Sequence, residues 1–260
     1  MRPTRFAEMT GPAVGRSGPS MVAVQPIGAV EHHGPHLPLA TDALIAEAVA
    51  GAVVDSRSDL SLTLLPTLSY ALSSEHLWAP GTITLAATTL LAVLDDLGAS
   101  LARARVPRLV FLNAHGGNSA LLRVACREIR LRYGLLTFLA HPHLPVDQGR
   151  RGGTDGEEGF GVHGGAEETS MVLHLRPDLV NMDLATASLP SWLLGYSYIG
   201  FGGEVSFGWS SSDVMPSGVI GNPALASPER GKEIFQGCVE RLGAALEEVS
   251  RFSFPGTADG

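Results

Sequence analysis

Chemistry concentrates first in Glu31-His32-His33-Gly34-Pro35-His36, with Asp42 shortly after. Carboxylates and imidazoles mixed in one turn suit a divalent transition metal. Glu31 and His33, two residues apart, can both face one centre from an extended or turn segment. Asp42 opens the following helical stretch, from which its carboxylate can point back at that turn. A lone histidine is ordinarily structural; three with two carboxylates in so short a span favour a metal site. A second cluster, Asn113-Ala114-His115-Gly116-Gly117-Asn118, follows an apolar run. Its glycines permit a tight turn and a close backbone approach to a ligand. Asn118 is placed to cap the next helix, and His115 stands where a metal ligand is needed.

A third cluster is His163-Gly164-Gly165-Ala166-Glu167-Glu168-Thr169-Ser170. A histidine on a loop rim is a good general acid/base, because its unperturbed pKa lies near neutrality. Glu167 and Glu168 stand at a helix start, where carboxylates are also favoured by the helix dipole alone. The fourth is Ser74-Glu75-His76, followed by Pro80-Gly81-Thr82. His76 either contacts substrate or is an ordinary loop residue.

These clusters need elements that hold them on one edge. Met21–Gly28 is a short apolar run ending at glycine, and Thr41–Asp55 repeats apolar residues at helical spacing. Leu62–Leu65 is strand-like, Thr88–Arg105 helical, Arg108–Asn113 a buried-strand pattern, Asn118–Tyr133 helical, and Leu135–Ala140 a further strand. This alternation predicts a mostly parallel sheet with helices on both faces. In such sheets ligand sites lie beyond the carboxyl ends of the strands, which is where the first, second and fourth clusters fall. The last helix begins at Ser227-Pro228, an N-cap serine with proline at the first helical position. Its Ile234, Cys238, Leu242, Leu246 and Val249 form an apolar stripe. Two stretches break the rhythm: Pro142–Val162, rich in glycine and charge, and Leu189–Pro223, which holds Trp192, Tyr196, Tyr198 and Trp209. Such segments are often lids or subunit contacts, and the aromatics favour ordered loops over disordered insertions.

The 260 residues suit one α/β domain, expected over 21–253 between an N-terminal segment, 1–20, and a short tail, 254–260. An apolar fraction of 45% excludes intrinsic disorder, and a net charge of −8 argues against a nucleic-acid partner. No run of about 18 apolar residues is present, so no membrane span is expected. The first twenty residues lack the continuous apolar core of a secretory signal. Cys126 and Cys238 both sit on apolar helix faces, which fits a reduced, cytoplasmic setting rather than a disulfide framework.

PIGAVEHHGPHLPLATD, NAHGGN and HGGAEETS, in this order and spacing, resemble the creatininase family of metal-dependent amidohydrolases. The resemblance runs from FAEMT to GVIGNPALASPERG, nearly the whole chain. It implies a single-domain, three-layer α/β sandwich, a homo-oligomer that is commonly a hexamer, and two divalent ions, Zn2+ first with Fe2+ or Mn2+ as alternatives. By motif position Glu31 and His115 would hold one ion and His33 the other, with Asp42 bridging. A water between two cations ionises near neutral pH and attacks an amide carbonyl. His163 matches the family's catalytic histidine, which passes a proton to the leaving nitrogen. His36 and His76 are candidates for substrate contact.

The sequence departs from the pattern twice. Creatininase proper has a glutamate two residues after the His115 position, where this chain has Gly117. Relatives with HGGN carry one three residues after the loop histidine, where this chain has Ala166. Glu168 is then the best remaining carboxylate ligand, and Glu167, the second choice, is a candidate for proton transfer. The lid-loop tryptophans of creatininase have no counterpart in Pro142–Val162, which speaks against creatinine itself. The expected activity is hydrolysis of a small or cyclic amide. A mycofactocin-system peptidase acting on a short peptide and a formamidopyrimidine deformylase are the family alternatives. A non-catalytic metal-binding scaffold is the reading from another class.

Overall fold

The computed structural model describes residues 5–142, 156–157 and 159–255. Most of the glycine-rich stretch Pro142–Val162, expected as an ordered lid or subunit contact, therefore lies outside the described residues.

Four short apolar runs pair as strands: β1 (Val22–Ile27), β2 (Leu62–Leu64), β3 (Arg108–Asn113) and β4 (Leu136–Ala140). All pairings are parallel, in the order β2-β1-β3-β4. The helices are α1 (Gly11–Ser17), α2 (Thr41–Ser56), α3 (Ala87–Arg103), α4 (Ser119–Tyr133), α5 (Ala166–Leu175), α6 (Ser211–Val214) and α7 (Pro228–Arg251). Parallel strands need crossovers, which cover both faces and demand apolar residues on each.

The two-residue side-chain period of the strands sorts those residues cleanly. Val22, Val24, Val110 and Leu112 pack with Ile45, Val49 and Val53 of α2, Met171 and Val172 of α5, and Cys238, Leu242 and Leu246 of α7. Ala23, Ile27, Leu109 and Phe111 point the other way, onto Leu90 and Leu94 of α3 and Leu121, Leu122 and Ile129 of α4. The result is the three-layer sandwich expected from the sequence.

Ser227 caps α7, its Oγ accepting from the Arg230 amide at 3.1 Å, with Pro228 behind it. The N-terminal residues also belong to this packing: Arg5 pairs with Asp55 at 2.7 Å, and Phe6 and Met9 rest on the α3/α4 core. Cys126 and Cys238 are both free. Among the described residues no helix is long and apolar enough to cross a membrane.

One close approach fixes the start of the site. Gly28 follows β1 and lies against the first turn of α2. A Cβ there would stand 2.6 Å from the Asp42 carbonyl carbon and 2.7 Å from the Ala43 Cα. These are backbone atoms and cannot rotate away. Gly28→Ala should destabilise the protein by about 1–3 kcal/mol and displace Asp42. Urea unfolding together with metal titration checks both effects.

Candidate metal centre

The loops after β1, β2 and β3 converge at the carboxyl edge of the sheet, and two asparagines bind them together. Asn118 Nδ2 donates to the Gly28 carbonyl at 3.1 Å and to Asn113 Oδ1 at 3.1 Å. Its Oδ1 accepts from the Leu72 amide at 3.0 Å. Asn113 Nδ2 donates to the His115 carbonyl at 2.7 Å. Asn118 therefore does not cap α4, as its position suggested. A 3-10 turn, Gly116–Asn118, precedes that helix, and the amide is spent on joining three strand ends. This bracing role left no local signal in the sequence.

Within this frame Glu31, His33, Asp42, His76, His115 and His163 are all buried. Asp42 lies between two imidazoles: its Oδ1 is 3.0 Å from His33 Nε2 and its Oδ2 is 3.2 Å from His115 Nδ1. Glu31 Oε1 is 3.2 Å from the same His115 nitrogen and 3.8 Å from His33 Nε2. His76 Nε2 and His163 Nδ1 each stand 3.6 Å from that oxygen. Glu168 Oε2 is 3.9 Å from His33 Nε2 and accepts from the Gly164 amide at 2.6 Å.

Potential ligand atoms gather in three overlapping groups: Glu31–Asp42–His115, His33–His163–Glu168 and Glu31–His76–His163. Both oxygens of Glu31 and Oδ2 of Asp42 are buried without a hydrogen bond. A buried carboxylate that accepts no hydrogen bond is costly unless a cation meets it. Oxygen and nitrogen donors with no thiolate fit a hard or borderline divalent ion, so these residues suit the metal pair that the motifs imply.

The electrostatics agree. Burial alone would lower the His33 pKa, but Asp42, Glu168 and Glu31 carry it up to about 10. Burial likewise opposes the proton on His115, and Glu31 and Asp42 overcome it. Against burial, His33 and His115 hold Asp42 well below the usual carboxylate range. Glu168 is pushed up to about 7, chiefly by burial and secondarily by Asp42. His163 is driven well below its ordinary value by burial first and then by the charge on His33, and His76 falls to about 4 through burial.

His163 is set by the Leu189–Pro223 stretch. Its amide donates to the Ile220 carbonyl at 3.0 Å and its carbonyl accepts from the Ile220 amide at 2.8 Å. The ring Nε2 lies 2.6 Å from the His32 carbonyl, so it carries the hydrogen and leaves Nδ1 as the lone pair facing Glu31. The ring stacks on His76 with centroids 4.0 Å apart.

Two candidates sit elsewhere. His36 is buried, and its Nε2 bonds Thr169 Oγ1 of α5 at 3.0 Å, tying the histidine turn to that helix. Glu167 is in none of the three ligand groups, and its charge instead raises the Cys238 thiol in α7, after burial. One residue the sequence reading left without a role does join the site. Glu75 Oε1 is 3.5 Å from His115 Nε2; its position beside His76 on the expected edge was the available signal.

Creatininase ("Creatinine amidohydrolase") is the family whose sequence model matches this chain, over residues 7–246. The chain belongs to the creatininase family. It is 35% identical to the mycofactocin precursor peptide peptidase of Mycobacterium ulcerans, covering 84% of this chain and 82% of the relative. It is 29% identical to the creatinine amidohydrolase of Pseudomonas putida, over 87% and 89% of the two chains. A solved mutant creatininase of Zn-Zn type matches 97% of this chain and all of its own, with 25% identity and a TM-score of 0.76. The relatives named here are hydrolases, and this chain carries its carboxylate–histidine cluster at the carboxyl edge of the sheet.

The protons held by this cluster give a signed prediction. In the metal-free protein His33, carried up to about 10 against burial by Asp42, Glu168 and Glu31, is protonated at pH 7.5. A metal-binding imidazole must be neutral, so loading expels that proton. Zn2+ added to metal-free protein should acidify a weakly buffered solution, and its affinity should rise with pH. In the metal-free protein the same proton contributes stability that is complete below pH 6.5 and lost as pH rises through about 10. Thermal melts across that range check the second part.

Proposed function

We propose that this protein hydrolyses an amide C–N bond, and that Glu31, His33, Asp42, His115 and Glu168 would hold two divalent ions, Zn2+ foremost, for that chemistry. The observation that carries this reading is Asp42, whose two oxygens face His33 and His115 while Glu31 lies orphaned beside them. Such ions would supply a water that ionises near neutral pH, and would themselves polarise the substrate carbonyl.

The chain's own residues do the rest. His163, neutral and with its Nδ1 lone pair toward Glu31, takes the proton from the attacking water. It then delivers that proton to the departing nitrogen. The hydrogen bond from Nε2 to the His32 carbonyl fixes the tautomer that this requires. His76, stacked on His163 and within reach of Glu31, is the histidine placed to contact substrate. His36 acts as a brace to α5, and Glu167 stays outside the chemistry.

For the substrate, the peptidase relative at 35% identity favours a short peptide. The match to creatininase structures at a TM-score of 0.76 supports a small cyclic amide as the second reading. The same proposal includes a homo-oligomer in a reducing compartment. Exposed Trp192, Tyr196 and Tyr198 support the first part, and the two free cysteines the second.

Zinc-loaded protein incubated with short peptides and with creatinine should release amine from one class. Full metal occupancy with no turnover of any amide would leave a binding scaffold. Asp42→Ala should be the most damaging ligand change, lowering both metal stoichiometry and rate. His163→Ala should cut turnover by about 10²–10⁴-fold with metal content near wild type. Loss of metal in that variant, measured by elemental analysis, would move His163 into the ligand set.

A further inference from the structure

We infer that Glu75 is a positioning residue for the metal centre: its carboxylate occupies the space that Gly117 leaves open and fixes the outer edge of the His115 imidazole. The inference rests on the metal-binding reading above and adds a residue to it.

Three observations meet here. The inner nitrogen of His115, Nδ1, faces Glu31 and Asp42, each at 3.2 Å. The outer nitrogen, Nε2, bonds the Leu72 carbonyl at 2.8 Å and lies 3.5 Å from Glu75 Oε1. A Cβ built at Gly117 would overlap that same Oε1 and stand 2.5 Å from His115 Nε2. Any residue other than glycine at 117 therefore evicts the carboxylate, the imidazole or both. The turn carrying Glu75 is itself held from outside: Ser210 Oγ and Ser211 Oγ both donate to its backbone carbonyl at 3.2 Å. The Glu75 side chain is only 17% exposed.

The physical consequence follows from charge. A hydrogen on Nε2, donated to Leu72 and faced by a carboxylate, leaves Nδ1 as the electron-rich lone pair on the metal side. An anionic neighbour at the outer nitrogen raises the basicity of the inner one. The carbonyl alone sets the tautomer; the carboxylate adds the charge and closes the ring in from the Gly117 side.

The test separates this role from simple packing. Glu75→Gln keeps the shape and removes the charge. Outer partners of metal-binding histidines are typically worth 10–100-fold in affinity. The Zn2+ affinity of Glu75→Gln, measured by competition with a chromogenic chelator, should fall by about that factor. The melting temperature of the metal-free variant should stay level or rise, since burial, aided by Glu31 and Asp42, opposes the Glu75 charge more than His115 favours it. Gly117→Ala should weaken Zn2+ binding in the same direction. Wild-type affinity in Glu75→Gln would overturn the inference, as would a lower metal-free melting temperature with affinity unchanged. Wild-type affinity in Gly117→Ala would overturn the claim that the gap seats Glu75. Wild-type protein that binds no Zn2+ would instead sink the metal-binding reading itself.

Discussion

Glu31 is the constraint around which the carboxyl edge of the sheet is built. A side chain with no exposed surface and no hydrogen bond to either oxygen must be met by positive charge. Its neighbours are imidazoles: His33 from its own turn, and His76, His115 and His163 from three other segments. No single element could supply them. The parallel sheet does, because it delivers the ends of β1, β2 and β3 to one edge in register. Ile27 lies opposite Asn113 at that rim. The asparagine braces then convert three loop ends into one rigid frame, which is what a site made of short, unforgiving ligand distances needs.

Most of this frame could be read from the sequence. The strand Arg108–Asn113 occupies the residues its apolar pattern predicts, and the helices starting at Thr41 and Pro228 begin where their side chains say they should. These features are local: periodicity, a cap, a proline. The histidine clusters were also legible, because mixed carboxylates and imidazoles at strand ends have few structural uses. Asn118 illustrates the limit. Its position matches a helix cap, yet the amide bonds Gly28, 90 residues away. Glu167 and Glu168 illustrate another. They are adjacent and alike, and only the helix geometry decides which carboxylate meets His33. Glu75 was visible as a residue and not as a partner, since its role depends on an absence at 117.

The two positions where this chain lacks a glutamate of the family pattern, Gly117 and Ala166, each lie against a carboxylate from elsewhere in the fold. At Gly117 a carboxylate from the turn after β2 comes into the space a side chain would fill. At buried Ala166, the first residue of α5, the backbone amide has no partner within the helix and donates to buried Glu157 at 2.9 Å. At 117 the carboxylate stands beside His115, whereas Glu157 is spent on the backbone amides of Ala166 and Asn222.

The stretch from Leu189 to Pro223 holds His163 through Ile220 and the Glu75 turn through Ser210 and Ser211. It also displays exposed Trp192, Tyr196 and Tyr198. An exposed aromatic surface and two parts of the buried cluster thus hang from one piece of irregular chain. A change that remodels this surface pulls on His163 and on the Glu75 turn at once. The outer face and the sheet edge are therefore mechanically coupled, and alterations to one would be tolerated best when paired with alterations to the other.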